Sequence, residues 1–267
     1  MTEQDSPLDE LKACYRSSPY PSYKVTSYFA VYAQLFAHLR GSDCTFIETG
    51  VLKGGSLFMW RRWLGDRARI IGIDLNPEAA KWRDHGFEIH IGDQGDRAFW
   101  RRTFEQIGPF DVLLDDGGHQ SFQQIVTLTE AMRASQRPCI IAIEDTLTSF
   151  MRDFERHRQH AFLEFAKDAT DTLTARHACI YPKDFPPIDN PDAIKRFAHV
   201  RSIEFFPSIV AFKLGASELP PAQLCWNHKP PAEEQLQDYR HEGVSEAQVE
   251  WPDPFVRKVV ALRGGKV

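Results

Sequence analysis

Short apolar runs rich in β-branched residues recur along the chain, each closing on Gly, Asp or Asn, with room for one helix between successive runs. Five of them predict strands over residues 45–51, 69–75, 87–91, 110–115 and 139–144. Their apolar character is continuous rather than alternating, which predicts parallel strands buried on both faces. Helices are predicted between them at 56–64, at 77–84 with Pro77 in an early helical position, and at 121–134. The order is βαβ, and right-handed crossovers make it a doubly wound α/β sheet. Two further runs, 199–206 and 208–214, are separated only by Pro207, too short for a crossover, and read as an antiparallel pair. The expectation is a seven-stranded, mostly parallel sheet with an antiparallel final hairpin.

Ahead of the first strand, Phe29, Tyr32, Phe36 and Leu39 recur at helical spacing before Gly41, a C-cap candidate, predicting an amphipathic helix over 26–40. A long helical pattern over 153–177 precedes a loop rich in Pro and Asp (181–195) that would overhang a substrate site. After Leu214 the composition shifts. Residues 216–255 carry eight acids against Lys229 and Arg240, whereas 256–267 hold four basic residues and no acid. The expected organisation is a helical, lid-like segment at 1–41, a catalytic domain at 42–215 and a C-terminal arm at 216–267.

With 267 residues, 42% hydrophobic and 26% charged, the chain is neither disordered nor fibrous. A formal charge of −5 gives no general footprint for nucleic acid. The five cysteines Cys14, Cys44, Cys139, Cys179 and Cys225 form no CxxC pair, which argues against a zinc knuckle or a disulfide framework. The acidic N-terminus has no apolar signal region and no run approaches 18 apolar residues, so the expected setting is the cytoplasm, without a membrane.

In open parallel sheets ligands bind beyond the carboxyl ends of the strands, where strand order reverses. The first strand runs into Glu48-Thr49-Gly50-Val51-Leu52-Lys53-Gly54-Gly55-Ser56, a glycine loop leading into a helix. Asp74 closes the second strand and Asp93 follows the third. A dinucleotide fingerprint would read GxGxxG. Here the order is ExGxxxGGS, and the acid at its head repels pyrophosphate but suits the ammonium and sulfonium of S-adenosylmethionine. The fourth strand ends in Asp115-Asp116-Gly117-Gly118-His119 and the fifth in Glu144-Asp145. Carboxylates gathered at one sheet edge repel unless a cation lies among them, and an all-oxygen set selects a hard ion, Mg²⁺ or Mn²⁺.

The strings FIETGVLKGGS and GIDLN resemble the first two motifs of class I S-adenosylmethionine-dependent methyltransferases. ETGVLKGGSLFMW, LLDDGGH, AIEDT and IEFFPSIVAFKL resemble, more narrowly, metal-dependent sugar O-methyltransferases of macrolide biosynthesis and the cephalosporin hydroxylase-like and rhamnosyl O-methyltransferase proteins. The resemblance spans about residues 25–214, and Leu52 stands where the family more usually has glycine. It implies a Rossmann-like methyltransferase fold and a homo-oligomer. Carried over by position, Asp116, Glu144 and Asp145 match the metal ligands, with Asp115 the alternative ligand, and His119 matches the general base. Glu48, Gly50, Gly54, Gly55, Ser56, Asp74, Asp93 and Asp115 make up the cofactor-binding set. The implied reaction is methyl transfer to a sugar hydroxyl of a small-molecule glycoside. Two other readings stay open: a catechol-like acceptor, and a cofactor-binding accessory protein. Tyr20, Tyr23 and Tyr28 are candidates to line a sugar pocket, although aromatic residues at such spacing are more often packing residues. Arg61 and Arg62 read as a solvated helix face, and Trp60, Trp82 and Trp100 as core.

Overall fold

The computed structural model describes residues 6–155, 157–174, 195 and 197–218. They fall in the first of two compact units, Met1–Pro221; the second, Ala222–Val267, lies outside them, as do the expected arm beyond residue 218 and almost all of the loop at 181–195.

The chain enters through a helix that the apolar pattern does not predict, α1 (Pro7–Arg16). Pro7 sits in its first turn, Ser6 accepts a hydrogen bond from the Asp9 amide, and Leu11 and Cys14 face the core. The helix expected over 26–40 is α2 (Tyr28–Phe36), which tightens into a 3-10 turn at Ala37–Leu39. It is buried more nearly all round than amphipathic, with Tyr28, Phe29, Val31, Tyr32, Leu35 and Phe36 all inside. Strands β1 (Thr45–Thr49), β2 (Arg69–Asp74), β3 (Glu88–Ile91), β4 (Val112–Asp115) and β5 (Cys139–Ile143) lie within the runs read from the sequence. Helix α3 (Gly55–Leu64) follows β1. The segment between β2 and β3, Pro77–His85, is a 3-10 helix capped by Asn76 rather than an α-helix. The sequence reading passed over α4 (Arg97–Ile107), although Asp96 caps it and Phe99, Trp100, Thr103, Phe104 and Ile107 form its buried stripe. Helix α5 (Ser121–Ala134) spans its expected residues, and the pattern at 153–177 yields α6 (Phe162–Thr174).

The seven strands, completed by β6 (Val200–Phe206) and β7 (Ile209–Leu214), lie in the order β3-β2-β1-β4-β5-β7-β6. The first five are parallel, while β7 runs antiparallel to both β5 and β6. One core lies between the sheet and α1, α2 and α3, the other between the sheet and α4, α5 and α6. Neighbouring strand residues such as Phe46 and Ile47 serve opposite cores, which is why these runs are continuously apolar. Trp60, Trp82 and Trp100 are core residues, and Cys14, Cys44 and Cys139 are buried free thiols. Among the described residues no helix is long and apolar enough to cross a membrane. Strand order reverses between β1 and β4, so the crevice for a ligand opens where these strands end.

Candidate functional site

Register builds the site. Thr49 pairs with Asp115 and Asp115 with Ile143, so the next residues along, Gly50, Asp116 and Glu144, leave the sheet side by side. Gly50 has φ +86°, and a Cβ there would stand 2.0 Å from the Asp116 main-chain oxygen, which explains the glycine. A cavity of about 480 Å³ opens above this edge. Of the expected site residues, Gly50, Asp74, Asp93, Asp116, His119, Glu144 and Asp145 line it.

The others stand behind its wall. Glu48 is fully buried, accepting from Ser56 Oγ at 2.6 Å and Trp60 Nε1 at 3.2 Å. Burial raises its pKa, and Lys24 and Ser56 offset this only in part. Asp115 accepts from Gln94 Nε2 at 2.9 Å, and burial raises its pKa too. Gln94 Oε1 in turn accepts from the Gly118 amide at 2.7 Å, so one amide side chain clamps the whole turn after β4. Gly54 and Gly55 are required by the protein itself: Cβ atoms there would lie 2.4 Å from the Trp82 ring and 2.2 Å from the Tyr20 main-chain oxygen. Asp74 faces the cavity, yet its Oδ2 accepts from the amides of Val51 and Leu52 at 2.8 and 3.1 Å, tying down the glycine loop. Leu52 has φ +48°, a left-handed conformation that is uncommon for a residue other than glycine. Arg61 lies over the Phe87 ring and donates to the main-chain oxygens of His85 and Gly86, so it is no anion site.

Side-chain atoms of Asp116, His119 and Asp145 gather within 4.8 Å of one another, with His119 Nε2 3.6 Å from Asp145 Oδ2. Both His119 (φ +57°) and Asp145 (φ +52°) hold left-handed backbone conformations, which non-glycine residues adopt only where the surroundings enforce them. Tyr28 OH donates to Asp145 Oδ1 at 2.5 Å, and Tyr32 OH donates to Glu144 Oε1 at 2.6 Å. Burial and the neighbouring carboxylates raise the pKa of both phenols. Glu144 Oε2 is buried and, among the described residues, has no hydrogen-bond partner. Burial and repulsion from Asp116 lift the Glu144 carboxyl well above the usual range. An unpartnered buried carboxylate oxygen beside Asp116, Asp145 and His119 fits a hard divalent cation.

The sequence reading did not find Lys24. Its Nζ reaches Asp116 Oδ2 at 2.5 Å, Glu48 Oε1 at 3.3 Å and Glu144 Oε1 at 3.5 Å. Of the three candidate sugar-pocket tyrosines, Tyr23 and Tyr28 line the cavity, while Tyr20 packs edge-on against Trp82.

No family model matches the chain. It is 30% identical over 138 residues to 8-demethyl-8-alpha-L-rhamnosyl tetracenomycin-C 2'-O-methyltransferase of Streptomyces olivaceus, covering 49% of this chain and 36% of that protein. It is also 30% identical over 160 residues to mycinamicin VI 2''-O-methyltransferase of Micromonospora griseorubida, covering 55% of this chain and 38% of that one. The chain is related to sugar O-methyltransferases. It spans about a third of the length of the curated relatives it matches. The solved structure of MycE, a methyltransferase of the mycinamycin pathway in complex with Mg and SAH, superposes with a TM-score of 0.66 at 20% identity, over 79% of this chain and 55% of that one. The fold is therefore the Rossmann-like methyltransferase fold, mostly parallel with antiparallel C-terminal strands.

Proposed function

We propose that this chain transfers a methyl group from S-adenosylmethionine to a sugar hydroxyl of a glycosylated natural product, with a divalent cation at the acids and His119 as general base. The observation that carries the reading is the convergence of Asp116, His119 and Asp145 within 4.8 Å at the edge where strand order reverses. The sugar acceptor rests on relatives named for methylating rhamnosyl and other glycoside groups. The cofactor is assigned to the cavity beside Gly50, Asp74 and Asp93, and a homo-oligomer belongs to the same proposal on family resemblance.

Asp116, Glu144 and Asp145 would hold the cation, Glu144 through its unpartnered Oε2. When bound, the cation supplies Lewis-acid polarisation of neighbouring acceptor hydroxyls, and the cofactor an electrophilic methyl on a sulfonium. An aliphatic hydroxyl is a weak nucleophile and must lose its proton as the bond to carbon forms. That proton passes to Nε2 of His119, the ring nitrogen 3.6 Å from Asp145 Oδ2, whose charge stabilises the imidazolium formed. Tyr28 fixes Asp145 through its other oxygen, so the base and the acid beside it keep one geometry. Gly50 and Gln94 line the cavity in which the two substrates would be brought together.

The test is incubation of the purified chain with labelled S-adenosylmethionine and a panel of rhamnosides, with Mg²⁺ and then with a chelator. Label in an O-methyl sugar, lost on chelation and restored by Mg²⁺, is the expected result. Transfer indifferent to chelation, or label only on phenols, overturns it.

A further inference from the structure

Lys24 lies between two residues whose side chains are exposed. Tyr23 is 83% exposed and Val25 41%, whereas the Lys24 side chain is 2% exposed. The inward pull comes from charge: the ammonium lies between Glu48, Asp116 and Glu144, and over the Tyr32 ring at 5.6 Å. Lys24 satisfies this set only in part: among the described residues, Glu144 Oε2 has no hydrogen-bond partner. Two of these acids, Asp116 and Glu144, are those assigned above to the divalent cation. A divalent ion and an ammonium drawn to the same carboxylate oxygens repel each other, so they compete for the seat.

We propose that Lys24 is a tethered cation that occupies the seat among Glu48, Asp116 and Glu144, and that divalent metal binding expels it, carrying Tyr23 and Val25 away from the cavity they line. The seat is thereby held together before the metal arrives, and metal binding is coupled to opening of this cavity wall. The inference rests on the metal assignment made under the proposed function. It goes further, because it makes a residue of the cavity's own wall the metal's competitor.

The experiment titrates Mn²⁺ into the protein and into Lys24→Met, following free Mn²⁺ by electron paramagnetic resonance. If Lys24 holds the seat about nine-tenths of the time, removing it tightens Mn²⁺ binding about tenfold. Equal or weaker binding by the variant overturns the inference and leaves the metal assignment standing, whereas no binding by either protein overturns both. A second measurement needs no variant and covers the case in which Lys24→Met fails to fold. Acetylation of Lys24, read by peptide mass spectrometry, should speed up about tenfold in saturating Mn²⁺, while that of Lys12 stays constant. Labelling of Lys24 that Mn²⁺ leaves unchanged or slows contradicts the proposal.

Discussion

The hydroxyl of Thr148 donates to the main-chain oxygen of His119 at 2.9 Å. Thr148 Oγ1 also lies 2.8 Å from the main-chain oxygen of Asp145, so one side chain ties together the two residues held at positive φ. Thr148 is a positioning residue. Thr148→Val keeps the branched shape but removes this donor from the His119 carbonyl, while the Asp145 carbonyl keeps the Thr148 amide at 2.9 Å, at a cost of about 1–3 kcal/mol. We expect kcat to fall about tenfold or more with KM for the cofactor little changed. Thr148→Ser should restore kcat; a variant whose loss appears wholly in KM contradicts the assignment.

His119→Ala removes the proposed base itself. The expected loss is about 10²- to 10⁴-fold in kcat, with binding of S-adenosylhomocysteine retained. Full activity in this variant removes the base from His119.

Gly50→Ala tests how closely the glycine loop and the metal edge meet. The new Cβ would lie 2.0 Å from the Asp116 main-chain oxygen, in a conformation that alone costs about 1–2 kcal/mol. The melting temperature should drop by several degrees and divalent-ion binding should weaken. An unchanged melting curve contradicts the packing described here.

Glu130 gives a pH-dependent prediction away from the site. Its nearly buried carboxylate accepts from Arg97, Arg101 and Arg133; burial alone would raise its pKa, but the three guanidiniums prevail and hold it below the usual range. Because the folded-state pKa is depressed, the stabilisation is present above the unfolded carboxylate value and is lost as pH falls through the folded one. Glu130→Gln should cost about 2 kcal/mol at pH 7. Melting curves across pH should show the gap between variant and parent closing in acid; a constant gap contradicts the assignment.

The parallel strands were legible because burial on both faces leaves a continuous apolar run, as in Arg69–Asp74. The acids Asp116, Glu144 and Asp145 were legible because strand ends in a parallel sheet share one edge. Helix α4 was harder to read: its stripe at Phe99, Trp100, Phe104 and Ile107 is interrupted by Arg97, Arg101 and Arg102, all of which pair with Glu130 or Asp96. Lys24 carried no local signal. A lysine between Tyr23 and Val25 reads as a solvated loop residue, and only the fold brings it to Asp116, 92 positions away. Likewise Glu48 heads the cofactor motif in sequence, but its contacts in the fold are Ser56, Trp60 and Lys24.

The most direct measurement is a calorimetric titration of Mg²⁺ into protein saturated with S-adenosylhomocysteine, beside the double variant Asp116→Asn, Glu144→Gln. The account predicts saturable binding of one ion per chain, lost in the variant while the cofactor product still binds. Cofactor binding with no heat from Mg²⁺ at several temperatures, or Mg²⁺ binding that survives in the variant, would contradict it.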